Sequence, residues 1–377
     1  MKITVAIDSF KGSLTSLEAG SAVREAVMRL DGKAEVIVKP LADGGEGTVQ
    51  ALSGREDAEN VKITVHGPLM APVTAEYCIL RDTGTAVIEM ASASGITLIS
   101  PEERNPLKAT TFGVGEMIAD AVKRGCRKFI VGIGGSATND GGMGMLRALG
   151  YEFLDKDKKP VDFGAAGLEA LAEIRTENAL SELKDCFFNV ACDVKNPLCG
   201  ENGCSAVFAP QKGADSAMAA DMDKWLKGYA LLAGTVSDKA DENAEGAGAA
   251  GGLGFAFLAF LNSRLESGIK LILEEIRLEE DVRDADIVVT GEGRLDSQTV
   301  MGKAPVGVAA LAKKYGKRVI AFSGCVTEDA EICNEYGIDA FFPVLRSVST
   351  LEEALDKDNA YKNLRAAAYQ VFRLLLK

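Results

Sequence analysis

Met1-Lys2-Ile3-Thr4-Val5-Ala6-Ile7-Asp8-Ser9-Phe10-Lys11-Gly12-Ser13-Leu14-Thr15 opens the chain, and its continuation to residue 52 decides the fold. Residues 3–7 read as a short apolar strand that runs into a carboxylate. Thr15 and Glu18 have the spacing of a capping box, in which each side chain accepts from the other's backbone N–H. Ala19, Ala22, Val23, Ala26, Val27 and Leu30 then follow the three-four spacing of an amphipathic helix. A second strand is expected at 36–38 and a second helical pattern from 49. The last hundred residues repeat the theme: strands at 287–290 and 319–322 flank a helix over 304–315, and a strand at 341–345 precedes a helix to the terminus. Alternation of this kind predicts a parallel sheet covered by helices.

The middle of the chain reads differently. Residues 62–66, 73–80 and 86–90 form consecutive strands separated by Gly-Pro and Asp-Thr-Gly turns, the pattern of a β-meander. A helix near 113–123, a strand at 128–131, a long glycine loop with a helix over 143–149, a strand at 187–191 and a helix around 217–233 follow. The expectation is an α/β protein of two domains. A Rossmann-like parallel-sheet domain is built from both chain ends, residues 1–62 and 284–377. A mixed α/β domain, residues 63–283, is inserted between them, with the active site in the cleft between the two. The strand at 128–131 is also compatible with the terminal domain's sheet.

Composition removes several chemistries. The chain has 377 residues, a formal charge of −13 and one histidine, His66, so a Ser-His-Asp triad or a multi-histidine zinc site lacks its partners. Proton transfer then falls to Asp, Glu or Lys. His66 precedes Gly-Pro at a strand end and reads as structural. The acid excess, with no dense Lys/Arg run, argues against a nucleic-acid backbone as partner. Asp8 interrupts the N-terminus too early for a signal peptide. The longest apolar stretch, 247–261, falls short of the roughly 20 residues that span a bilayer. Eight cysteines without Cys-x-x-Cys spacing fit thiols of a reducing cytoplasm, the expected location.

Glycine placement is the informative excess. Seventeen of the 40 glycines fall in four windows, 44–47, 132–144, 246–254 and 291–302, which marks backbone that turns sharply or meets a ligand. In a parallel sheet, ligands bind beyond the carboxyl ends of the strands. Asp8 to Ser13, Asp43-Gly44-Gly45-Glu46-Gly47-Thr48, Gly291 to Asp296 with Gly302-Lys303, and Ser323-Gly324-Cys325 all follow such ends. Freed backbone N–H groups and helix N-termini bind phosphate oxygens, magnesium takes one or two carboxylates, and lysine neutralises a transferring phosphoryl group. Lys11 and Lys303 both precede predicted helices, where the dipole disfavours a cation unless an anion lies between.

A second polar cradle, 132–144, carries six glycines with Ser136, Thr138, Asn139 and Asp140 and suits phosphates or a hydroxy acid. Asp193, Lys195 and Asn196 follow the 187–191 strand and suit either a hydroxy-acid site or a salt-bridged turn. Gly246-Ala-Gly248-Ala-Ala-Gly251 spells a dinucleotide fingerprint, yet it follows an acidic, polar segment rather than a strand, so a tightly packed or anion-binding helix start is expected. No Gly-x-x-x-x-Gly-Lys-Ser/Thr occurs, which excludes a P-loop kinase.

Taken in order, Asp8 to Ser13, Ala42 to Thr48, Gly134 to Gly142, Asp193 to Leu198 and Gly291 to Asp296 resemble the bacterial glycerate kinase family over nearly the whole chain. The resemblance implies a two-domain α/β phosphotransferase that moves the γ-phosphoryl group of ATP to D-glycerate with Mg2+. It favours 2-phosphoglycerate over 3-phosphoglycerate as product. Chemistry then distributes the roles. Asp8 or Asp193 accepts the hydroxyl proton, with Lys11 as the third catalytic candidate. Ser9, Gly12, Gly44, Gly45, Gly293 and Lys303 are candidates for the nucleotide phosphates. Asp43, Glu46, Glu292 and Asp296 are candidates for the metal. Ser136, Asn139, Asp140, Lys195, Asn196 and Arg294 are candidates for the acceptor. Partners are expected to be ATP and D-glycerate, without nucleic acid or membrane, and a homo-oligomer is compatible. An aspartyl-phosphate phosphatase would need a second aspartate where Phe10 stands. A non-catalytic nucleotide-binding module would bind ATP without glycerate-dependent ADP formation.

Overall fold

The computed structural model describes residues 1–42, 47–55 and 57–376, so Asp43, Gly44, Gly45 and Glu46 lie outside the described residues. The chain divides into one unit of Met1–Glu56 with Ile269–Lys377 and another of Asp57–Gly268. With strands numbered in chain order, the first unit holds β1 (Lys2–Val5), β2 (Glu35–Val38), β11 (Ile287–Leu295), β12 (Arg318–Val326) and β13 (Ala340–Pro343). They form an all-parallel sheet in the order β13-β12-β11-β1-β2. Strand alternation sets its two faces. Ile3, Val5, Ile7, Val289 and Phe322 share a core with the apolar stripes of helices Ser16–Leu30 and Lys357–Leu375. Thr4 turns the other way and donates from Oγ1 to the Asp281 carbonyl of helix Leu278–Asp284 at 3.1 Å. The capping box forms as expected: Thr15 Oγ1 accepts from the Glu18 N–H at 3.3 Å, and Glu18 Oε2 accepts from the Thr15 N–H at 3.0 Å.

From β1 the chain moves outward to β2, and from β11 outward to β12 and β13. The order therefore reverses between β1 and β11, the crevice that such sheets use for ligands. One expectation needs correction here. β11 and β12 do not end at 290 and 322; pairing continues through Glu292 with Ser323, Arg294 with Cys325 and Leu295 with Val326. Gly291-Glu292-Gly293 is thus strand, not loop. Glycine permits it by closeness of approach. A Cβ on Gly291 would stand 2.0 Å from the Phe322 carbonyl oxygen, and one on Gly324 would stand 2.6 Å from that of Gly293.

The second unit carries a six-stranded sheet in the order β10-β9-β6-β5-β4-β3. β3 (Ala58–His66), β4 (Pro72–Leu80) and β5 (Thr85–Glu89) form the antiparallel meander. β5, β6 (Lys128–Gly132), β9 (Phe187–Ala191) and β10 (Ser263–Glu266) run parallel. Membership of the terminal sheet is therefore wrong for 128–131, whose partners are β5 and β9. A ribbon of β7 (Glu152–Leu154) and β8 (Glu173–Arg175) is added; three-residue strands are too short to leave an alternation in the sequence. The chain divides at 268/269 rather than near 283 because the segment after 268 packs on the first unit: a Cβ on Gly307 would meet Ile269 Cγ1 at 2.4 Å. Among the described residues no helix is long and apolar enough to cross a membrane.

Candidate active site

At the β1 end of the crevice, Asp8 receives the Ser9 N–H on Oδ1 at 2.6 Å and gives its own N–H to the Gly291 carbonyl at 2.9 Å. The chain then folds back on itself. Phe10 and Leu14 form an isolated bridge, Ser13 N–H donates to the Phe10 carbonyl, and Gly12 takes φ +84° at the bend, a conformation that suits glycine. This leaves the N–H groups of Lys11 and Gly12 with no hydrogen-bond acceptor among the described residues. The bend lines a hollow of about 390 Å³ from Ser9 to Thr15, closed on one side by Gly47 and set at the N-terminus of helix Ser16–Leu30. Ser16 Oγ fixes the floor: it donates to the Ile7 carbonyl at 2.6 Å and accepts from the Leu41 N–H at 2.7 Å, tying the β1 end to the segment after β2.

Across the crevice, Gly293 lies against the same bend, where a Cβ would stand 3.4 Å from the Lys11 nitrogen. The extended β11 carries Glu292, only 8% exposed, whose Oε1 accepts from Thr299 Oγ1 at 2.6 Å. Asp296 caps the turn Ser297–Val300 and accepts from the Gln298 N–H at 3.0 Å. Lys303, at the N-cap of helix Ala304–Lys314, stands 3.9 Å from Glu292 and 3.7 Å from Asp296. A cation at this helix start is thereby offset by two carboxylates. The structure thus gathers Asp8, Ser9, Lys11, Gly12 and Gly293 on one side and Glu292, Asp296 and Lys303 on the other. Arg294 points outward, its half-exposed side chain held 3.2 Å from Asp296.

In the second unit, the 132–144 loop follows β6 and is packed from below by the 246–254 glycines. A Cβ on Gly251, which has φ +67°, would stand 2.1 Å from the Thr138 carbonyl oxygen, and Gly251 in turn accepts the Gly141 N–H at 2.9 Å. The fingerprint-like string is therefore packing. Asp140 is fully buried, and five donors fill its carboxylate: Thr110 Oγ1, the N–H and Oγ1 of Thr111, and the N–H groups of Gly142 and Gly144. Burial pushes its carboxyl above the usual range, and the Thr111, Gly142 and Gly144 donors pull it back. Such a group holds the loop and has no face left for an acceptor molecule. Asn139, also buried, donates from Nδ2 to Ser205 Oγ at 2.9 Å, while its Oδ1 and the Thr138 Oγ1 have no partner among the described residues.

Sequence reasoning missed one residue here. Lys212, 2% exposed at the end of the turn Pro210–Lys212, donates from Nζ to Ser136 Oγ at 2.8 Å and to the Thr138 carbonyl at 2.7 Å. Burial pushes its ammonium down to about 8. Its only local signal is a lysine lodged between Ala209 and Gly213, which no periodicity separates from a surface lysine. Asp193, exposed after β9, accepts the Gly268 N–H at 3.2 Å. Lys195 pairs with Glu245 at 3.3 Å with both side chains in solvent, and Asn196 Nδ2 donates to the Asn202 carbonyl. The salt-bridged turn is the better description of those two. His66 is structural: Glu116 accepts from its N–H at 2.7 Å and stands 2.9 Å from Nδ1.

The sequence model of the glycerate kinase family matches residues 3–376. Over 375 residues the chain is 44% identical to the glycerate kinase of Haemophilus influenzae, spanning 100% of this chain and 99% of that one. Over 371 residues it is 44% identical to the glycerate 2-kinase of Escherichia coli, spanning 98% and 97%. It superposes on the crystal structure of a Salmonella typhimurium LT2 protein assigned as glycerate kinase 2 with a TM-score of 0.92 at 44% identity, over 100% and 98% of the two chains. The chain belongs to the glycerate kinase family and is, with it, a phosphotransferase whose acceptor is a hydroxyl group.

Proposed function

We propose that this enzyme transfers the γ-phosphoryl group of ATP to the 2-hydroxyl of D-glycerate. The observation that carries the nucleotide half is the hollow at the N-terminus of helix Ser16–Leu30, lined by Lys11 and Gly12, whose N–H groups have no acceptor among the described residues. Backbone donors at a helix start with a cation alongside suit phosphate oxygens. Ser9 and Gly47 line the same place, and Gly293 lies against its bend. The name of the Escherichia coli relative supports the 2-hydroxyl.

Glu292 and Asp296 fit magnesium, which usually takes one or two protein carboxylates and fills its other positions with water and phosphate. Asp43 and Glu46 complete the candidate set. When bound, the ion would neutralise phosphate charge. Lys303, 3.9 Å from Glu292 and 3.7 Å from Asp296, would offset their mutual repulsion when no metal cation is there. The acceptor half rests on the 132–144 loop with Ser136, Thr138 and Asn139. In the reaction, the glycerate oxygen bonds to the γ-phosphorus as the bond to the β,γ-bridging oxygen breaks, ADP leaves, and the hydroxyl proton passes to a carboxylate, Asp8 or Asp193.

Supplying ATP, magnesium and D-glycerate and coupling to enolase, with and without phosphoglycerate mutase, tests the reading. Signal without mutase is the expected result. Signal only with mutase would make 3-phosphoglycerate the product, and absence of glycerate-dependent ADP would refute the kinase.

A further inference from the structure

Resting on that reading, we infer that Lys212 is a positioning residue for the acceptor: it occupies the Ser136 oxygen so that the Ser136 hydroxyl proton is directed to the carboxylate of D-glycerate. An ammonium has three N–H donors, and a serine hydroxyl has one proton and two lone pairs. Lys212 spends two donors on neutral oxygens, Ser136 Oγ and the Thr138 carbonyl, and makes no ion pair among the described residues. Once Ser136 accepts from Lys212, its own O–H remains to donate, and hydrogen bonds polarise one another along such a chain. The Ser136 hydroxyl has no other partner among the described residues, and Ser136, at 9% exposed, sits nearer solvent than Lys212.

The surroundings match a hydroxy acid. Thr138 Oγ1 offers a second hydroxyl and Asn139 Oδ1 an amide acceptor, both buried without a partner among the described residues. A carboxylate needs donors and a substrate hydroxyl needs an acceptor; this loop holds both unfilled. A buried cation among neutral partners is costly, and the neutral amide of Gln would pin the loop at lower cost. An arriving carboxylate supplies the negative charge the ammonium lacks. The titratable groups facing Lys212 are Cys204, whose thiol burial pushes up to about 11, and Asp140, with Arg104 against the adjoining Gly213.

Steady-state kinetics of the full chain, with Lys212→Met, Lys212→Arg and Ser136→Ala, test this. The expected result is a rise of about 10-fold or more in KM for D-glycerate in the Met and Ala variants, the loss of one charge-assisted bond. KM for ATP should stay within about twofold, and Lys212→Arg should retain most of the affinity. In the wild type, KM for D-glycerate should climb above pH 8 as the ammonium loses its proton; in Lys212→Arg the climb should vanish. Unchanged KM for D-glycerate in Lys212→Met, or equal rises in both KM values with a lower melting temperature, would make Lys212 a structural pin and overturn the inference. A wild type that forms no ADP from D-glycerate would instead sink the functional reading, and this inference with it.

Discussion

Replacing Asp140 by alanine removes the acceptor for three backbone N–H groups, those of Thr111, Gly142 and Gly144, and for the hydroxyls of Thr110 and Thr111. All of these groups are buried, so water does not take the place of the lost oxygens without the loop opening. An orphaned buried donor costs about 1–3 kcal/mol. The hydroxyls can rotate toward other acceptors, and removing the carboxylate also relieves its own desolvation. The three amides taken near the low end then leave a net loss of about 3–5 kcal/mol. Asparagine is the graded control. It keeps the oxygen shared by Thr111 and Gly144 but sets an amide N–H against the Gly142 N–H, one orphan worth about 1–3 kcal/mol. Trp225, the single tryptophan, lies in helix Ser216–Ala233 of the same unit and reports its unfolding. With a urea m-value of about 1–3 kcal/mol/M, the alanine midpoint should fall by about 1–5 M, with asparagine between alanine and wild type. A loss below about 1 kcal/mol for alanine, or asparagine ranking below alanine, would refute the loop-holding role.

Two other perturbations separate roles at the site. Asp8→Asn and Asp193→Asn, run side by side, should leave KM for ATP nearly unchanged while the variant lacking the true base loses about 100-fold or more in kcat; full turnover in both would refute proton transfer to either. Gly251→Ala forces a methyl group 2.1 Å from the Thr138 carbonyl at a left-handed position and should destabilise by about 2–4 kcal/mol. Gly316→Ala, at φ +62° with open space around it, should cost only about 1 kcal/mol by the same urea measurement.

Much of the architecture was legible because it is written in short-range pattern. The alternation of Ile3, Val5 and Ile7, the Thr15–Glu18 capping box and the three-four spacing after it each follow from local geometry, and together they predict the parallel sheet. What escaped has a common cause. Gly291, Gly293 and Gly324 have no side chain to signal a strand, and their pairing depends on a partner some thirty residues away. Ser263 to Glu266 lacks apolar alternation because its partner strand, not its composition, makes it β10. At the site, Asp8, Lys11 and Glu292 were readable as residue types at one sheet edge. Burial was not: it turns Asp140 from an acceptor-site candidate into a loop anchor and reveals Lys212, since enclosure comes from distant segments.

The pairing of Ile3 with Ile287 also governs how the polypeptide matures. β1 and β2 leave the ribosome early, but the strand that closes the other side of β1 is synthesised nearly three hundred residues later. At about 5–20 residues per second, that is a wait of roughly a quarter of a minute to a minute. The intervening unit has its own core and all its strands by then. It can fold first, while β1 keeps an open hydrogen-bonding edge. Vectorial synthesis therefore assembles this enzyme from its middle outward, and the nascent N-terminal segment is the part most in need of shielding until its distant partner arrives.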